Sequence, residues 1–160
     1  FFKILKNGKE LKNFFKRLGP EAISSDFNLK YIQNKLSNKK KNIKNFLLDQ
    51  NFVSGIGNIY ANEILFYCKI NPFKIARNIT YKEINKLVKY SKLILNLAIK
   101  YGGSSIRDFK NTKGVSGLFQ NEFKVYGKEN KNCERKNCQG KISKFFISNR
   151  STFFCNLCQK

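Results

Sequence analysis

The sequence contains no methionine. Because a reading frame begins with methionine, we expect these 160 residues to lie inside a longer protein, rather than to have lost a first residue by processing. No apolar run approaches the roughly 20 residues that a membrane-spanning helix needs. The first residues, FFKILKNGKEL, also lack the long apolar core and the cleavage site of a signal peptide. These absences predict a cytoplasmic protein without a membrane partner.

Acidic residues are scarce. Ten Asp and Glu stand against 32 Lys and Arg, which gives a net charge of +22 and an isoelectric point near 10.0. Such an excess favours polyanions, nucleic acid before an anionic membrane surface. The abundance of Asn, Ile and Phe leaves an alternative open, since AT-rich coding would add lysines at solvated positions without any ligand. A hydrophobic content of 41% suffices for a packed core, in one domain or two small ones.

Four of the five cysteines lie in the last 28 residues: Cys133, Cys138, Cys155 and Cys158. The segment 144–154 between the two pairs predicts two strands with a tight turn near Asn149–Arg150. Four thiolates on such a hairpin can surround one zinc ion tetrahedrally, and the ion replaces a core that so small a unit cannot build. Without an export signal, zinc is favoured over two disulfides or idle thiols. Cys68, alone in an apolar segment, is predicted to be a buried packing residue.

Residues 47–67 read LLDQNFVSGIGNIYANEILFY. Gly55 and Gly57 allow a tight turn and a close approach to another chain. Asn58 opens the following helix, where it can cap the helix or donate its side-chain amide outward, and helix starts favour anions. In so basic a chain, a helix, a glycine turn and a second helix suggest a clamp on a nucleic-acid phosphate. A connection between two helices that binds no ligand is the alternative.

Helices are predicted on both sides of this turn. Residues 27–36 fit a short amphipathic helix, and Asn42–Leu48 forms the helix before the turn. Thr80 and Glu83 form a capping box that begins a long helix ending near Gly102. The segment 103–120, polar and rich in glycine, predicts a long loop that is either functional or disordered.

Several motifs together resemble the formamidopyrimidine-DNA glycosylase family, bacterial enzymes that excise oxidised purines. They are LGPE at residues 18–21, LLDQ followed by GIGNIYANE, GGSS-R-DF, VYG, and RSTFFC with a final CQ. The resemblance extends over about residues 18–160. Endonuclease VIII relatives share the helix–two-turn–helix and the zinc hairpin and remain an alternative, but GIGNIYANE, the GGSS-R-DF loop and VYG favour the formamidopyrimidine branch.

The resemblance implies a mainly α helix–two-turn–helix domain followed by a small β-hairpin zinc finger, with one structural zinc ion. A remnant of an N-terminal β domain would begin the chain. The expected boundaries are 1–17 for this remnant, 18–26 for the linker, 27–121 for the helical DNA-binding domain and 122–160 for the zinc finger.

The resemblance also implies a set of DNA-binding residues: Lys40, Lys44, Asn58, Ser104, Ser105, Arg107 and Arg150. Arg150 would touch the phosphate at the lesion and donate a proton in the second, δ, elimination. For Lys40 and Lys44 a solvated basic face is the alternative. Phe1 is the nearest match to the family's DNA wedge. The chain departs from the family in having four residues between Cys133 and Cys138 rather than two. It also has an asparagine before Arg150, where glycine or glutamine is commoner.

The implied parent protein is a bifunctional DNA glycosylase and apurinic/apyrimidinic lyase, in which an N-terminal proline attacks the sugar and a neighbouring glutamate assists. Both prolines of this sequence, Pro20 and Pro72, are internal. We therefore expect the 160 residues to bind damaged double-stranded DNA as a monomer, at the nucleoid in a bacterial cytoplasm, without excising bases. A freestanding zinc-ribbon module that binds structured RNA, and a decaying gene fragment, are the alternatives.

Overall fold

The computed structural model describes residues 7–8, 15–104 and 117–160. Within these ranges, four α-helices precede a two-stranded antiparallel hairpin, which confirms the predicted mainly helical part and C-terminal hairpin. Phe1 and most of the expected remnant at 1–17 lie outside the described residues. In the described part of the chain, no helix is both long enough and apolar enough to cross a membrane.

Two short helices, α1 (Leu29–Leu36) and α2 (Ile43–Leu47), each begin after an asparagine. The side chains of Asn28 and Asn42 accept hydrogen bonds from the backbone N–H three residues later, at 3.0 and 2.9 Å. Such caps satisfy amide groups that have no partner at a helix start. Because α2 has only 5 residues, far fewer than an isolated helix needs in water, packing must hold it in place.

The long turn between α2 and the next helix, α3 (Asn58–Cys68), is held by Gln50. Its amide oxygen accepts a hydrogen bond from the N–H of Gly55 and its amide nitrogen donates to the carbonyl of Ile56, both at 3.2 Å. Gly55 has a φ of +89°, a backbone conformation that side chains disfavour. The predicted glycine turn is thus present, and the glutamine of LLDQ closes it.

The predicted linker lies on the same turn. The backbone N–H of Gly19 donates to the carbonyl of Gln50 at 2.8 Å, and the N–H of Ser54 donates to the carbonyl of Pro20 at 3.0 Å. These bonds attach the LGPE segment to the helical part through its backbone.

The long helix α4 (Tyr81–Lys100) begins with the predicted capping box. The hydroxyl of Thr80 accepts a hydrogen bond from the N–H of Glu83 at 3.3 Å, and the carboxylate of Glu83 accepts one from the N–H of Thr80 at 2.8 Å. The helix ends at Tyr101, and Gly102 follows with a φ of +72°.

The two ends of the segment 105–116, which is itself outside the described residues, are fixed against each other. Ser104 and Leu118 form an antiparallel bridge. A Cβ atom on Gly117 would lie 2.2 Å from the carbonyl oxygen of Gly103, so only glycine fits there. The predicted long loop is therefore closed at its base by backbone contact.

The hairpin consists of β1 (Ile142–Ile147) and β2 (Arg150–Cys155). The pairing of Ile147 with Arg150 leaves a two-residue turn, Ser148 and Asn149, with φ of +48° and +59°. Two-residue turns with positive φ match the twist of antiparallel strands. The tight turn predicted near Asn149–Arg150 is therefore present, one residue earlier than this pair, and Arg150 begins β2.

The buried side chains form two clusters that α3 connects. The larger cluster lies among the four helices and includes Phe27, Ile32, Leu47, Ile64 and Leu87. The smaller one lies under the hairpin and contains Val125, Ile142 and Phe153 together with Phe66 of α3. Seven of the 11 residues of α3 are buried, because the helix contacts both α4 and β2. This helix joins the helical part to the hairpin.

Candidate nucleic-acid interface and metal centre

The four cysteines predicted as zinc ligands lie together. Their sulfur atoms are all within 4.8 Å of one another, with 3.9 Å between Cys133 and Cys158 and 3.7 Å between Cys138 and Cys155. Zinc–sulfur bonds of about 2.3 Å in a tetrahedron set the sulfurs roughly 3.8 Å apart. None of the five cysteines forms a disulfide among the described residues. The cluster therefore fits a tetrahedral metal ion with four thiolate ligands.

The protonation of the sulfurs also bears on metal binding. Burial by itself would raise the pKa of Cys155, but the backbone amides of Cys158 and Leu157 lower it below its usual value. Burial raises the pKa of Cys133 to about 12 and also raises that of Cys158. A metal ion coordinates deprotonated sulfur, so its binding would release protons from these thiols.

One of the four residues between Cys133 and Cys138, Arg135, contacts α3. The guanidinium of Arg135 lies 4.4 Å from the centre of the Phe66 ring and donates a hydrogen bond of 2.6 Å to the carbonyl oxygen of Phe66. This carbonyl belongs to the last turn of α3, and it also accepts the backbone N–H of Lys69 at 2.9 Å. The longer spacing between Cys133 and Cys138 thus adds a contact between the cysteine module and α3. Sequence reasoning missed Arg135, because its partner is 69 residues away.

Glu63 of α3 holds the segment that leads into the cysteine module. Its buried carboxylate accepts hydrogen bonds from the backbone N–H groups of Lys124, Val125 and Tyr126, at 2.9, 3.0 and 2.9 Å. Burial raises the pKa of this carboxyl, and the three hydrogen bonds oppose the increase. Sequence reasoning assigned Glu63 no role beyond its place in GIGNIYANE, since its partners lie more than 60 residues later.

Two asparagines at the start of α3 satisfy the outer edge of β2. Gly57 is the N-cap of α3 and no side chain caps it, so the predicted alternative of a cap by Asn58 is wrong. The side-chain amide of Asn58 donates to the carbonyl of Ser151 at 3.0 Å. The side-chain oxygen of Asn62 accepts from the N–H of Phe153 at 2.8 Å. The helix start is thereby fastened next to the hairpin turn.

Lys44 of α2 reaches the same strand. Its side chain is fully buried, and its ammonium donates to the carbonyl of Ser151 at 2.9 Å and to the hydroxyl of Thr152 at 2.8 Å. Burial, together with the nearby charge of Arg150, lowers the pKa of Lys44 to about 7. The alternative of a solvated face is therefore wrong for Lys44. A contact between Lys44 and a phosphate stays a prediction, and in this structure the ammonium faces the hairpin.

The other predicted DNA-binding residues lie in different places. Arg150 is exposed at the hairpin turn, beside the carbonyl that Lys44 and Asn58 bind. Ser104 is half-buried and directly precedes the segment 105–116, with its hydroxyl oxygen 3.3 Å from that of Tyr60. Two predicted residues lie outside the described ranges: Ser105 and Arg107.

Lys40 lines a basic groove next to the hairpin turn. Lys39, Lys40 and Lys41 are all exposed and line a groove of about 720 Å³, together with Ser148 of the turn. The lysine run therefore borders the same end of the hairpin as Arg150. Composition alone could not establish this neighbourhood, because more than 100 residues separate Lys40 from Ser148.

Known proteins resemble the chain over nearly its whole length. The family model "Formamidopyrimidine-DNA glycosylase H2TH domain" matches residues 18–110. A formamidopyrimidine-DNA glycosylase of Wolbachia sp. subsp. Drosophila simulans (strain wRi) is 44% identical over 156 residues, which are 98% of this chain and 57% of the relative. One from Histophilus somni (strain 2336) is 45% identical over 154 residues, 96% of this chain and 56% of the relative. The chain thus spans slightly more than half the length of these relatives.

Solved structures agree. The MutM (Fpg) protein from Thermus thermophilus superposes with a TM-score of 0.86 at 32% identity, covering 98% of this chain and 59% of that protein. The Lactococcus lactis Fpg in complex with DNA containing an abasic site superposes with a TM-score of 0.86 at 39% identity. The match covers 96% of this chain and 56% of that protein. The match of the family model to more than half of the sequence, together with these likenesses, shows that the chain belongs to the formamidopyrimidine-DNA glycosylase family and carries its H2TH domain.

Proposed function

We propose that this chain is the DNA-binding C-terminal part of a bifunctional DNA glycosylase and apurinic/apyrimidinic lyase that excises oxidised purines in base excision repair. The observation that carries the proposal is the meeting of the α3 start and the hairpin turn at the carbonyl of Ser151. This contact brings an uncapped helix start and an exposed arginine to one surface of a chain with net charge +22. Solved relatives with this fold are complexes with abasic-site and Fapy-dG DNA, which supports damaged duplex DNA as the partner.

Arg150 and Asn58 would contact the DNA backbone. A guanidinium binds a phosphate with two parallel hydrogen bonds, and Arg150 is exposed and available for such a contact. The amide nitrogen of Asn58 spends one hydrogen on Ser151, and its second hydrogen could serve a phosphate. The positive end of the α3 dipole adds to the attraction. Contacts of this kind position a protein on DNA without reading its sequence.

Lys40, Ser104, Ser105 and Arg107 complete the proposed contact set. Lys40 belongs to the groove beside the hairpin turn, where it could extend the phosphate contacts along the duplex. Ser104, bridged to Leu118, directly precedes the segment 105–116, where the family resemblance expects a flipped base to be received. Extrusion of a damaged nucleotide costs less than that of an intact one, which is a source of selectivity.

The metal in this proposal is a single structural zinc ion held by the four clustered cysteines. The ion would cross-link the finger and take no part in the reaction. Side chains of the protein attach this part of the chain to the helices. Glu63 and Arg135 hold the cysteine module against α3, and Lys44 and Asn58 hold the hairpin turn. The purified chain should release one zinc per molecule to a chromophoric chelator once its thiols are modified.

Base excision is proposed for a longer protein that contains these residues. The family resemblance assigns the attacking amine to an N-terminal proline, whereas Pro20 and Pro72 are internal here. Arg150 would then assist the second elimination from its position at the lesion phosphate. A bacterial cytoplasmic location at the nucleoid and a monomeric state also belong to this proposal; light scattering of the purified chain would check the latter.

Borohydride trapping tests the division of labour. The 160-residue chain and an upstream-extended version are each incubated with duplex DNA carrying 8-oxoguanine and reduced. We expect covalent trapping by the extended version only. Trapping by the 160-residue chain would mean that another amine performs the chemistry and would overturn this assignment.

Binding measurements test the DNA contacts separately. Fluorescence anisotropy should show tighter binding to a duplex with an abasic-site analogue than to undamaged duplex. With about three to five phosphates neutralised, the logarithm of affinity should fall with that of salt concentration at a slope of roughly −3 to −4. Equal competition by structured RNA would instead support a zinc-ribbon RNA-binding module.

A further inference from the structure

The hairpin turn with Arg150 is fastened from below by a buried cation. Lys44 lies 107 residues before Ser151 in the sequence, and its whole side chain is inaccessible to solvent. Two of its three N–H groups have acceptors on β2, the carbonyl of Ser151 and the hydroxyl of Thr152. The helix that carries it, α2, is only 5 residues long, so the contact also joins a short helix to a distant strand.

This arrangement is costly for stability. A buried ammonium loses its hydration, and a carboxylate partner usually compensates for the loss. Among the described residues no ion pair involves Lys44, and the charged group that acts on it is Arg150, which has the same sign. A methionine of similar length would fill the same space without the desolvation penalty. The presence of a lysine here therefore points to a role in function rather than in stability.

The contacts lead directly to Arg150. The hydroxyl of Thr152, which accepts from Lys44, donates in turn to the carbonyl oxygen of Arg150 at 3.1 Å. The carbonyl of Ser151, the next residue, is held twice, by Lys44 and by Asn58. The carbonyl of Ser151 is thus fixed from outside the hairpin, and that of Arg150 is fixed through Thr152, whose hydroxyl Lys44 binds. On the other side, the two-residue turn and the pairing of Arg150 with Ile147 hold only the N-terminal side of the arginine.

We propose that Lys44 is a positioning residue for Arg150: through Ser151 and Thr152 it fixes the backbone of the hairpin turn so that the guanidinium points away from the protein and toward a DNA phosphate. Lys44 itself makes no phosphate contact in this arrangement. Its like charge behind Arg150 also favours the outward direction of the guanidinium. The inference rests on the proposed DNA-binding function. It adds Lys44 as a residue that affects DNA binding only through Arg150.

A double-mutant cycle tests the inference. Lys44→Met, Arg150→Ala and the double variant are purified with zinc, and their affinities for a duplex with an abasic-site analogue are measured by anisotropy. We expect Lys44→Met alone to weaken binding about tenfold, as the loss of one charge-assisted contact would. In the Arg150→Ala background the same substitution should have almost no effect, because the residue that it positions is gone.

The salt dependence separates positioning from direct contact. If Lys44 bound a phosphate itself, Lys44→Met would reduce the salt slope by about 1 even in the Arg150→Ala background, and the two substitutions would be additive. That outcome would overturn the inference while leaving the proposed DNA binding intact. If the wild-type chain failed to prefer damaged duplex, the proposed function itself would fail. If Arg150→Ala bound as well as wild type, Arg150 would lie outside the interface and the inference about Lys44 would be overturned.

Two further variants test whether the effect of Lys44→Met comes from the link to Arg150 or only from the loss of a positive charge. Thr152→Val removes only the hydroxyl that links Lys44 to Arg150, and it should also weaken binding when Arg150 is present and not when Arg150 is absent. Lys82→Met, an exposed lysine on α4, is the matched control for charge and should leave affinity nearly unchanged. Zinc content and the circular dichroism melting curve establish that each variant is folded. If Lys44→Met does not fold, the Thr152→Val cycle decides, and additivity there overturns the inference.

Discussion

The two ends of α3 hold the cysteine module in different ways. At its C-terminal half, charges are compensated: Glu63 accepts three backbone N–H groups, and Arg135 lies on the Phe66 ring and binds a helix carbonyl. At its N-terminal end, the amide of Asn58 and the ammonium of Lys44 meet β2 with no carboxylate among the described contacts, and Arg150 stands exposed beside them.

The difference separates attachment from binding. Compensated charges contribute to holding the module in place and offer nothing to a polyanion. The uncompensated cations at the other end repel one another in the free protein, and a bound phosphate would relieve this repulsion. Under the proposed function, the same helix has a structural end and a binding end, and substitutions at the two ends should have separable effects.

Removal of the proposed zinc ion should have the largest effect, since it would weaken the attachment and the DNA contacts at both ends of α3. Structural zinc contributes about 10 kcal/mol or more to folding of small domains, so Cys155→Ala should unfold the finger and abolish specific DNA binding. Thermal melting and anisotropy measure the two losses. Cys68→Ala, at the buried cysteine outside the cluster, is the control and should keep zinc and DNA affinity.

Glu63→Ala should weaken the attachment of the cysteine module at the structural end of α3. Three backbone N–H groups would lose their acceptor in a buried site, at a cost of about 3 kcal/mol or more in the free energy of unfolding. Urea denaturation measures the change. Glu129→Ala removes an exposed carboxylate from the same module and should cost less than about 1 kcal/mol. Equal losses in the two variants would contradict the attachment role of Glu63.

Arg150→Ala should break the binding end alone. The loss of a charge-assisted phosphate contact should reduce DNA affinity by about tenfold to a hundredfold and lessen the salt slope by about 1. Stability should not change, because the side chain is exposed. Arg77→Ala, at another exposed arginine, provides the charge control in both measurements. Unchanged affinity and slope would remove Arg150 from the interface.

Arg135→Ala should weaken the structural end by about 1 to 2 kcal/mol, from the loss of a cation–π contact and one hydrogen bond. Arg135→Lys keeps the charge near the Phe66 ring without the forked donors and should recover part of the loss. Urea denaturation checks both variants. The salt slope of DNA binding should stay at its wild-type value; a reduced slope would move Arg135 to the binding end.

The smallest expected effect is a pH dependence of stability from Lys44. Its pKa is about 7 in the folded chain, below the ordinary value of 10.5 that holds in the unfolded chain. Between these values the unfolded chain binds more protons, so the contribution of Lys44 to stability rises with pH. From pH 7 to 8 the gain should be about 1 kcal/mol. Urea denaturation at several pH values should show this gain in wild type and Lys82→Met and not in Lys44→Met.

Local signals predicted the elements of the fold. The capping box of Thr80 and Glu83, the glycine turn and the spacing of the cysteines each involve residues close in sequence or a known ligand geometry. The hairpin turn lies one residue before the pair that the sequence indicated. Asn149 fits either position of a two-residue turn with positive φ, and composition does not fix the register of the strands.

The structural roles of Lys44, Glu63 and Arg135 could not be predicted in the same way. Each acts on a partner more than 60 residues away, and side-chain type alone indicates only an exposed charge. The family resemblance marked Lys44 for DNA contact, but burial and its bonds to β2 become visible only when α2 and the hairpin are brought together.

The contact of Gly103 with Gly117 has a consequence for protein engineering. Because the chain is already brought together at this point, the entropy of closing the 105–116 segment depends only weakly on the number of residues it contains. Grafts of longer or shorter segments between Ser104 and Gly117 should therefore leave the melting temperature of the scaffold nearly unchanged. Such grafts should retain both Gly103 and Gly117, since a side chain on Gly117 would collide with the carbonyl of Gly103.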